Sequence, residues 1–260
     1  MLLCPVRECH LRLAREPRRM ICGRGHSFDI ARSGYINLLQ PQDRRSKQPG
    51  DTVAAIAARR RLHDRGVTAP LFRAIAGLLS ASTDDVVLDA GCGEGFFLGS
   101  LSGQTDCHGH GVDVATRAVD LAARRYPSDK CNCTWIVANA DRFIPYAENS
   151  FSIVLSITGR MNPSEFRRVL RGDGRLLVAI PAPDDLIELR GEGRDRVPRT
   201  IETFAPGFTL MERLRATTTA DLDEAAAADV LHSIYRPMRS RPVTAMRVTF
   251  SLDLLLFRAI

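Results

Sequence analysis

Val86-Val87-Leu88-Asp89-Ala90-Gly91-Cys92-Gly93-Glu94-Gly95 is an apolar run that ends in an acid and breaks into a glycine-rich turn. Such a run reads as a strand, and the glycines let the backbone turn sharply into a helix and approach a ligand closely. A second apolar run, Gly109-His110-Gly111-Val112-Asp113, ends in another acid 20 residues after Gly93. A carboxylate at the tip of the next strand is placed to accept hydrogen bonds from ribose hydroxyls. Together the two runs predict a site for a nucleoside-containing cofactor.

Working outward, apolar stretches of strand length alternate with helical ones. Strands are expected at 86–89, 108–112, 134–138, 151–157 and 175–180, with helices at 115–126 and 164–170 between them. This alternation predicts an α/β fold, a Rossmann-like, doubly wound and mostly parallel sheet. A late helix is expected at 221–232. Residues 246–258 read as a closing antiparallel strand, which mixed sheets often carry. Upstream, Asp51 or Thr52 caps a helix over 53–64, and Pro70 opens another over 70–80. Residues 36–51 read as a surface loop, and 184–220 show no clear period. The expected division is 1–35, a zinc-binding unit; 36–80, a basic loop and helical linker; and 81–260, the cofactor domain.

The zinc reading rests on Cys4-x4-Cys9, then 12 residues, then Cys22-x3-His26. Two short pairs separated by a loop supply four tetrahedral ligands, and Gly23-Arg24-Gly25 allows the turn inside the second pair. His10 is an alternative to Cys9. A segment this short has little core of its own, so a metal would account for its folding.

Composition narrows the class. The chain has 260 residues, is 45% hydrophobic and carries a net charge of +6. No apolar run approaches the roughly 18 residues a membrane helix needs, and no secretory leader is legible. Seven cysteines, four of them in the cofactor region, argue against a disulfide framework and for a cytoplasmic protein. Residues 1–80 hold 15 Lys/Arg against 6 Asp/Glu, whereas the remainder holds 21 against 24. A basic first third suggests a polyanionic partner, although an arginine-rich composition alone produces the same asymmetry. Arg44, Arg45, Lys47, Arg59 and Arg60 are candidate phosphate contacts, or else a solvated basic face.

An acid preceding three alternate glycines favours S-adenosylmethionine over a dinucleotide. Asp89 and Gly91 would face its amino-acid end and Asp113 its ribose. Asn139-Ala140-Asp141 would lie by the adenine, unless Asp141 is a solvated loop acid. Cys92 reads as a small packing residue in the turn.

These motifs, joined by Phe28-Asp29-x-Ala31-x2-Gly34-Tyr35-x-Asn37-Leu38-Leu39, Pro49-Gly50-Asp51, Ala58-Arg59-Arg60 and Asp64-x-Gly66, resemble the bacterial 23S rRNA (guanine-N1)-methyltransferases of the RlmA/TlrB type. The likeness covers nearly the whole chain, is most specific over residues 20–127 and weakens after about 155. It implies a class I methyltransferase domain that uses S-adenosylmethionine, with a zinc unit that helps recognise a hairpin of 23S rRNA. Some members confer resistance to macrolide antibiotics, and a homodimer is compatible. The family's zinc ligands fall on Cys4, Cys9, Cys22 and His26, with a two-residue insertion in the first pair. Its cofactor contacts fall on Gly93 and Glu94, and on Thr68 and Asp185, where relatives often carry an aromatic residue and a histidine. Asp185 is also a candidate polar group near N1 and O6 of the target base. Where relatives carry an aromatic-Ala-Pro segment, this chain reads Ser156-Ile157-Thr158-Gly159-Arg160. The competing readings are a small-molecule methyltransferase that keeps the zinc unit as scaffold, and a non-catalytic, zinc-dependent RNA-binding protein.

Overall fold

The glycine-rich turn lies at the middle of a large sheet, and the elements around it follow from where apolar residues must be buried. A computed structural model of the chain describes residues 1–43, 50–159, 161–234 and 243–260. Three short strands come first: β1 (Leu13–Arg15), β2 (Arg19–Cys22) and β3 (Ser27–Asp29), paired antiparallel in the order β1-β2-β3. After them the chain enters the main sheet directly. Ile36–Asn37 forms β4, parallel to the strand Cys133–Val137, and Leu38 and Leu39 are buried. The expected surface loop therefore begins only after residue 39, because two leucines and an isoleucine find apolar cover at a sheet edge.

Two helices follow, α1 (Val53–Asp64) and α2 (Ala69–Leu79). The Thr52 hydroxyl caps α1 by accepting from the Ala55 amide at 3.1 Å, as its position predicts. Leu62, Leu71, Phe72, Ile75 and Leu79 join the same core as the sheet, so these helices are walls of the main body.

The α/β pattern then runs β5 (Val86–Ala90), α3 (Phe96–Thr105), β6 (His108–Asp113), α4 (Thr116–Arg125), β7 (Cys133–Val137), β8 (Phe151–Ile157), α5 (Pro163–Val169) and β9 (Leu170–Pro181). The chain closes with α6 (Ile187–Arg190), α7 (Val197–Phe204), β10 (Phe208–Leu222), α8 (Glu224–Ser233) and β11 (Met246–Ala259). The eight strands lie in the order β10-β11-β9-β8-β5-β6-β7-β4. β4 to β9 pair in parallel, and β11 runs antiparallel to β9 as its sequence predicts. The strand order reverses direction beside β5, between β6 and β8, and ligands bind at such switch points.

β10 is the element the sequence conceals. Twelve of its fifteen residues show some exposure, and its interspersed Arg and Glu residues break any apolar alternation. It pairs with β11 along its whole length. Arg215 grips Asp253, an acid only 1% exposed in β11, at 3.0–3.1 Å, and Arg213 lies 3.4 Å away. These cations offset the cost of burying that carboxylate inside a sheet.

The first strands are not a separate ball. Cys4, Cys9, Leu13, Met20, Cys22 and Phe28 share one core with Ile136, Ile144 and Tyr146. The chain's start pairs with the main body through the Leu3 amide to the Pro145 carbonyl at 2.9 Å, and the Ala147 amide to the Met1 carbonyl at 3.0 Å.

Candidate functional site

The turn after β5 needs its glycines. Gly91, Gly93 and Gly95 hold φ of 95°, 54° and 81°, a region that costs any side chain. Gly95 opens α3, and a Cβ there would fall 2.6 Å from the Trp135 ring and 2.8 Å from the Ala122 Cβ. Gly95→Ala thus combines left-handed strain with overpacking, and is expected to destabilise the chain by about 2–5 kcal/mol in chemical denaturation. A loss below about 1 kcal/mol would show that the turn adapts.

Above the turn lies a cavity of about 620 Å³, within the range of small-molecule sites. It gathers Asp89, Gly91, Gly93, Glu94, Asp113, Asn139 and Asp141, seven of the residues expected at the cofactor. Asp113, at the tip of β6, accepts from the Gly93 amide at 2.9 Å and the Ala115 amide at 2.7 Å. These bonds orient its two oxygens into the cavity mouth, where each keeps a lone pair for a diol. Burial nevertheless pushes its carboxyl up, opposed by those two amides. Asn162 holds the Ala140 and Asp141 carbonyls at 3.0 and 3.1 Å, which shapes the turn after β7.

Asp89 is 2% exposed, and its Oδ1 has no hydrogen-bond partner among the described residues. Burial, then Asp113 and Glu94, push its carboxyl up to about 8. A buried, unsatisfied acceptor facing a cavity is the counterpart of a cationic or hydrogen-bond-donating ligand. Glu94 is equally buried but moves the other way. The cost of burial is outweighed by a 3.0 Å bond from His63 Nε2 and the charge of Arg59, so it stays ionised. Burial, and then the same acids, push the Cys92 thiol well up, which suits a packing role in the turn.

Two expected contacts fall outside the cavity. Thr68 caps nothing with its side chain; its hydroxyl lies 2.5 Å from His63 Nδ1 and so stands behind Glu94. Asp185 Oδ1 accepts from the Ser251 amide at 3.0 Å and the carboxylate lies 3.9 Å from Arg190, so it is engaged with β11 and α6. Conversely, Gly50, Asp51, Arg59 and His63 line the cavity, and the motifs did not single them out for it. Arg59 is a correction: expected as a phosphate contact, it points into the cavity, paired with Asp51 and Glu94. Arg60 remains outward, 41% exposed beside Asp64. Arg44, Arg45, Lys47 and Arg160 lie outside the described residues. The altered segment borders the cavity through Ile157, Thr158 and Gly159, and Thr158 is held at φ 51°, a strained value for a β-branched residue.

The second site is the cysteine cluster. Among the described residues, Cys4, Cys9, Cys22 and His26 form the one group of three or more side chains disposed to hold a metal, with ligand atoms within 4.8 Å of one another. His10 stacks on Phe143 instead, which leaves the position to Cys9. A zinc tetrahedron has S···S edges of about 3.8 Å and S···N edges of about 3.5 Å at ordinary bond lengths. The cluster shows 3.7 Å between Cys9 and Cys22, and 3.4 and 3.5 Å from Cys4 and Cys22 to His26 Nδ1. Despite burial, backbone amides of Arg24 and His26 lower the Cys22 thiol to about 7, toward the thiolate a metal requires. The residues therefore fit zinc. All seven cysteines are free thiols.

Comparison with known proteins finds a family for each of the two regions. The family described as "Methyltransferase domain" matches residues 87–178, and the one described as "RlmA, N-terminal", a zinc ribbon, matches residues 2–47. A 23S rRNA (guanine(748)-N(1))-methyltransferase of Streptomyces fradiae is 35% identical over 88% of this chain and 83% of its own. A Micromonospora griseorubida protein, provisionally named a 23S rRNA (guanine-N(1)-)-methyltransferase, is 35% identical over 72% of this chain and 68% of its own. Among solved structures, a chain of the complex between the Haloferax volcanii Trm112 methyltransferase activator and a methyltransferase superposes with a TM-score of 0.60. It is 17% identical and covers 82% of this chain and 99% of that one. That likeness concerns the fold alone.

Proposed function

The chain belongs to the 23S rRNA (guanine-N1)-methyltransferase family, and we propose that it methylates N1 of one guanine in 23S rRNA with S-adenosylmethionine as donor. The observation that carries this reading is the joining, through one shared core, of a zinc-fitting Cys3His ribbon to an acid-lined cavity at the switch point of a methyltransferase sheet.

When bound, S-adenosylmethionine supplies a methyl group activated by a sulfonium charge. In our reading Asp113 orients the ribose, Gly91 and Gly93 admit the ligand close to the backbone, and Asn139 and Asp141 meet the adenine. Asp89 and Glu94 supply negative charge to the cationic end. Thr68 acts through His63, and Asp185 through its hold on β11. The enzyme's main contribution is orientation, since a held nucleophile and electrophile gain effective molarity. The guanine reaches the cavity by leaving its stack, past the strained Thr158.

Residues 1–35 are the zinc-binding unit in this reading, and 36–80 connect it to the methyltransferase domain of 81–260. The RNA element is a hairpin, held partly by Arg60 and the basic residues of the zinc unit. The ribosomal substrate places the protein in the cytoplasm. No helix among the described residues is long and apolar enough to cross a membrane. A homodimer and a link to macrolide resistance belong to the same reading, tested by sedimentation and by drug sensitivity of a deletion strain.

The deciding experiment is transfer of labelled methyl to unmethylated 23S rRNA, with mass mapping of the product. Label on one guanine of a stem-loop is expected. Cofactor binding without RNA labelling would point to a small-molecule substrate. RNA binding without cofactor binding would leave a non-catalytic zinc protein.

A further inference from the structure

Arg59 is the one arginine or lysine among the described residues that line the cavity, which otherwise presents Asp51, Asp89, Glu94, Asp113 and Asp141. We propose that Arg59 binds the α-carboxylate of the methionine moiety of S-adenosylmethionine, held in position by Asp51 and Glu94. This assignment rests on the cofactor reading above and adds a residue and a chemical role to it.

The first support is an open donor. Arg59 Nε is covered and faces Glu94 Oε2 at 3.4 Å without a hydrogen bond among the described residues, so the donors left for a ligand are those of the Nη groups. Nη2 donates to Asp51. No hydrogen bond runs from Nη1 to a protein group among the described residues. The guanidinium is therefore fixed on two flanks and still has donors to give. A planar fork held this way is suited to a carboxylate.

The second support is the charge pattern. The methionyl end of the ligand carries an ammonium and a sulfonium as well as a carboxylate. The acids suit the two cations. An unaccompanied carboxylate brought among them would be desolvated and repelled. Arg59 provides the missing positive pole, and its own charge persists although burial opposes it, because Glu94 and Asp51 raise its affinity for the proton.

The third support is the bracing behind it. Glu94 also accepts from His63 Nε2 at 3.0 Å, and His63 Nδ1 meets Thr68 Oγ1 at 2.5 Å. The His63 ring stacks on Phe96 with centroids 4.0 Å apart. Thr68, His63, Glu94, Arg59 and Asp51 thus form one continuous line that ends at the cavity. The line accounts for two sequence features at once: a threonine that lies outside the cavity, and an arginine of a basic run that lines it.

The test compares two ligands that differ only in this group. Isothermal titration calorimetry would measure S-adenosylmethionine and its decarboxylated analogue on the full-length, zinc-loaded wild type and on Arg59→Gln. The wild type is expected to prefer the carboxylate-bearing ligand by about 10–100-fold, the effect of a charge-assisted hydrogen-bond pair. Arg59→Gln is expected to lose that preference and to bind the two ligands within about 3-fold of each other. Arg59→Lys, which keeps the charge but not the fork, should retain part of the preference. Equal weakening of both ligands in Arg59→Gln, or an undiminished preference, would overturn the role of Arg59 and leave the cofactor reading standing. Failure of the wild type to bind either ligand would overturn the cofactor reading, and this assignment with it.

Discussion

Replacing Cys22 with serine is expected to unfold residues 1–35 and to lower the thermal stability of the rest. Strands of three, four and three residues cannot hold a sheet in water without another source of free energy. In isolated zinc peptides, binding supplies on the order of 10–16 kcal/mol, and that is their folding free energy. Cys22 sits where two amides favour its thiolate and where it closes edges to both Cys9 and His26. Its loss leaves three ligands and an incomplete tetrahedron. The damage extends further, because the Cys4–Cys22 cluster shares a core with Ile136 and Tyr146, and β4 caps the edge of β7. Metal content by atomic emission and melting by circular dichroism check this. Wild type should carry one zinc and Cys22→Ser less than half, with a lower Tm and rapid cleavage by protease within the first 50 residues. One zinc per chain and an unshifted melt in Cys22→Ser would show that these four residues do not hold the metal.

Ligand affinity should rise steeply with pH up to about 8, and Asp89→Asn should flatten that rise. Asp89 has an ordinary carboxylate pKa near 4 when unfolded and about 8 when buried beside Asp113 and Glu94. Between those values the folded, ligand-free chain holds a proton that the unfolded chain has released. Stability of the ligand-free protein therefore falls as pH rises from about 4 to 8, by on the order of 1 kcal/mol per unit. A cationic ligand needs the carboxylate, so binding below pH 8 must expel that proton. Affinity then gains up to about tenfold per pH unit between 6 and 8 and levels off above. Calorimetry in buffers of different ionisation enthalpy should register the released proton at pH 7. In Asp89→Asn the buried charge is gone: the ligand-free protein gains stability at pH 8, and the ligand binds weakly and without this pH dependence. A flat profile for the wild type between pH 6 and 8 would remove Asp89 from contact with the cation.

Much of this architecture is written locally. The run ending in Asp89 is apolar because β5 is buried on both faces, and its glycines sit where φ must be positive. Asp113 ends β6 where that strand meets the cavity. The Cys4–Cys9 and Cys22–His26 pairs are closely spaced because the cluster they form is small, its ligand atoms within 4.8 Å of one another. Each is a constraint among near neighbours, so it leaves a pattern that spacing reveals. The segment 36–39 was legible only in part. Its leucines mark burial, but nothing in them specifies the edge of a strand almost 100 residues later.

The arginine run 59–61 shows where local reading stops. Three identical side chains on one helix diverge by about 100° each. Arg59 enters the cavity, Arg60 faces solvent, and Arg61 grips Asp229 of α8 at 2.5–2.8 Å. Composition shows only a basic patch. The same holds for β10, whose Arg213 and Arg215 are meaningful only once β11 brings Asp253 against them. Periodicity and ligand spacing record what a residue needs from its own element, so the sheet, the glycine turn, the acids at the strand tips and the Cys–His cluster are legible in the sequence. Which cation meets which anion, and which side of α1 closes the cavity, depends on surfaces that meet only after long-range packing, and only the tertiary structure decides that.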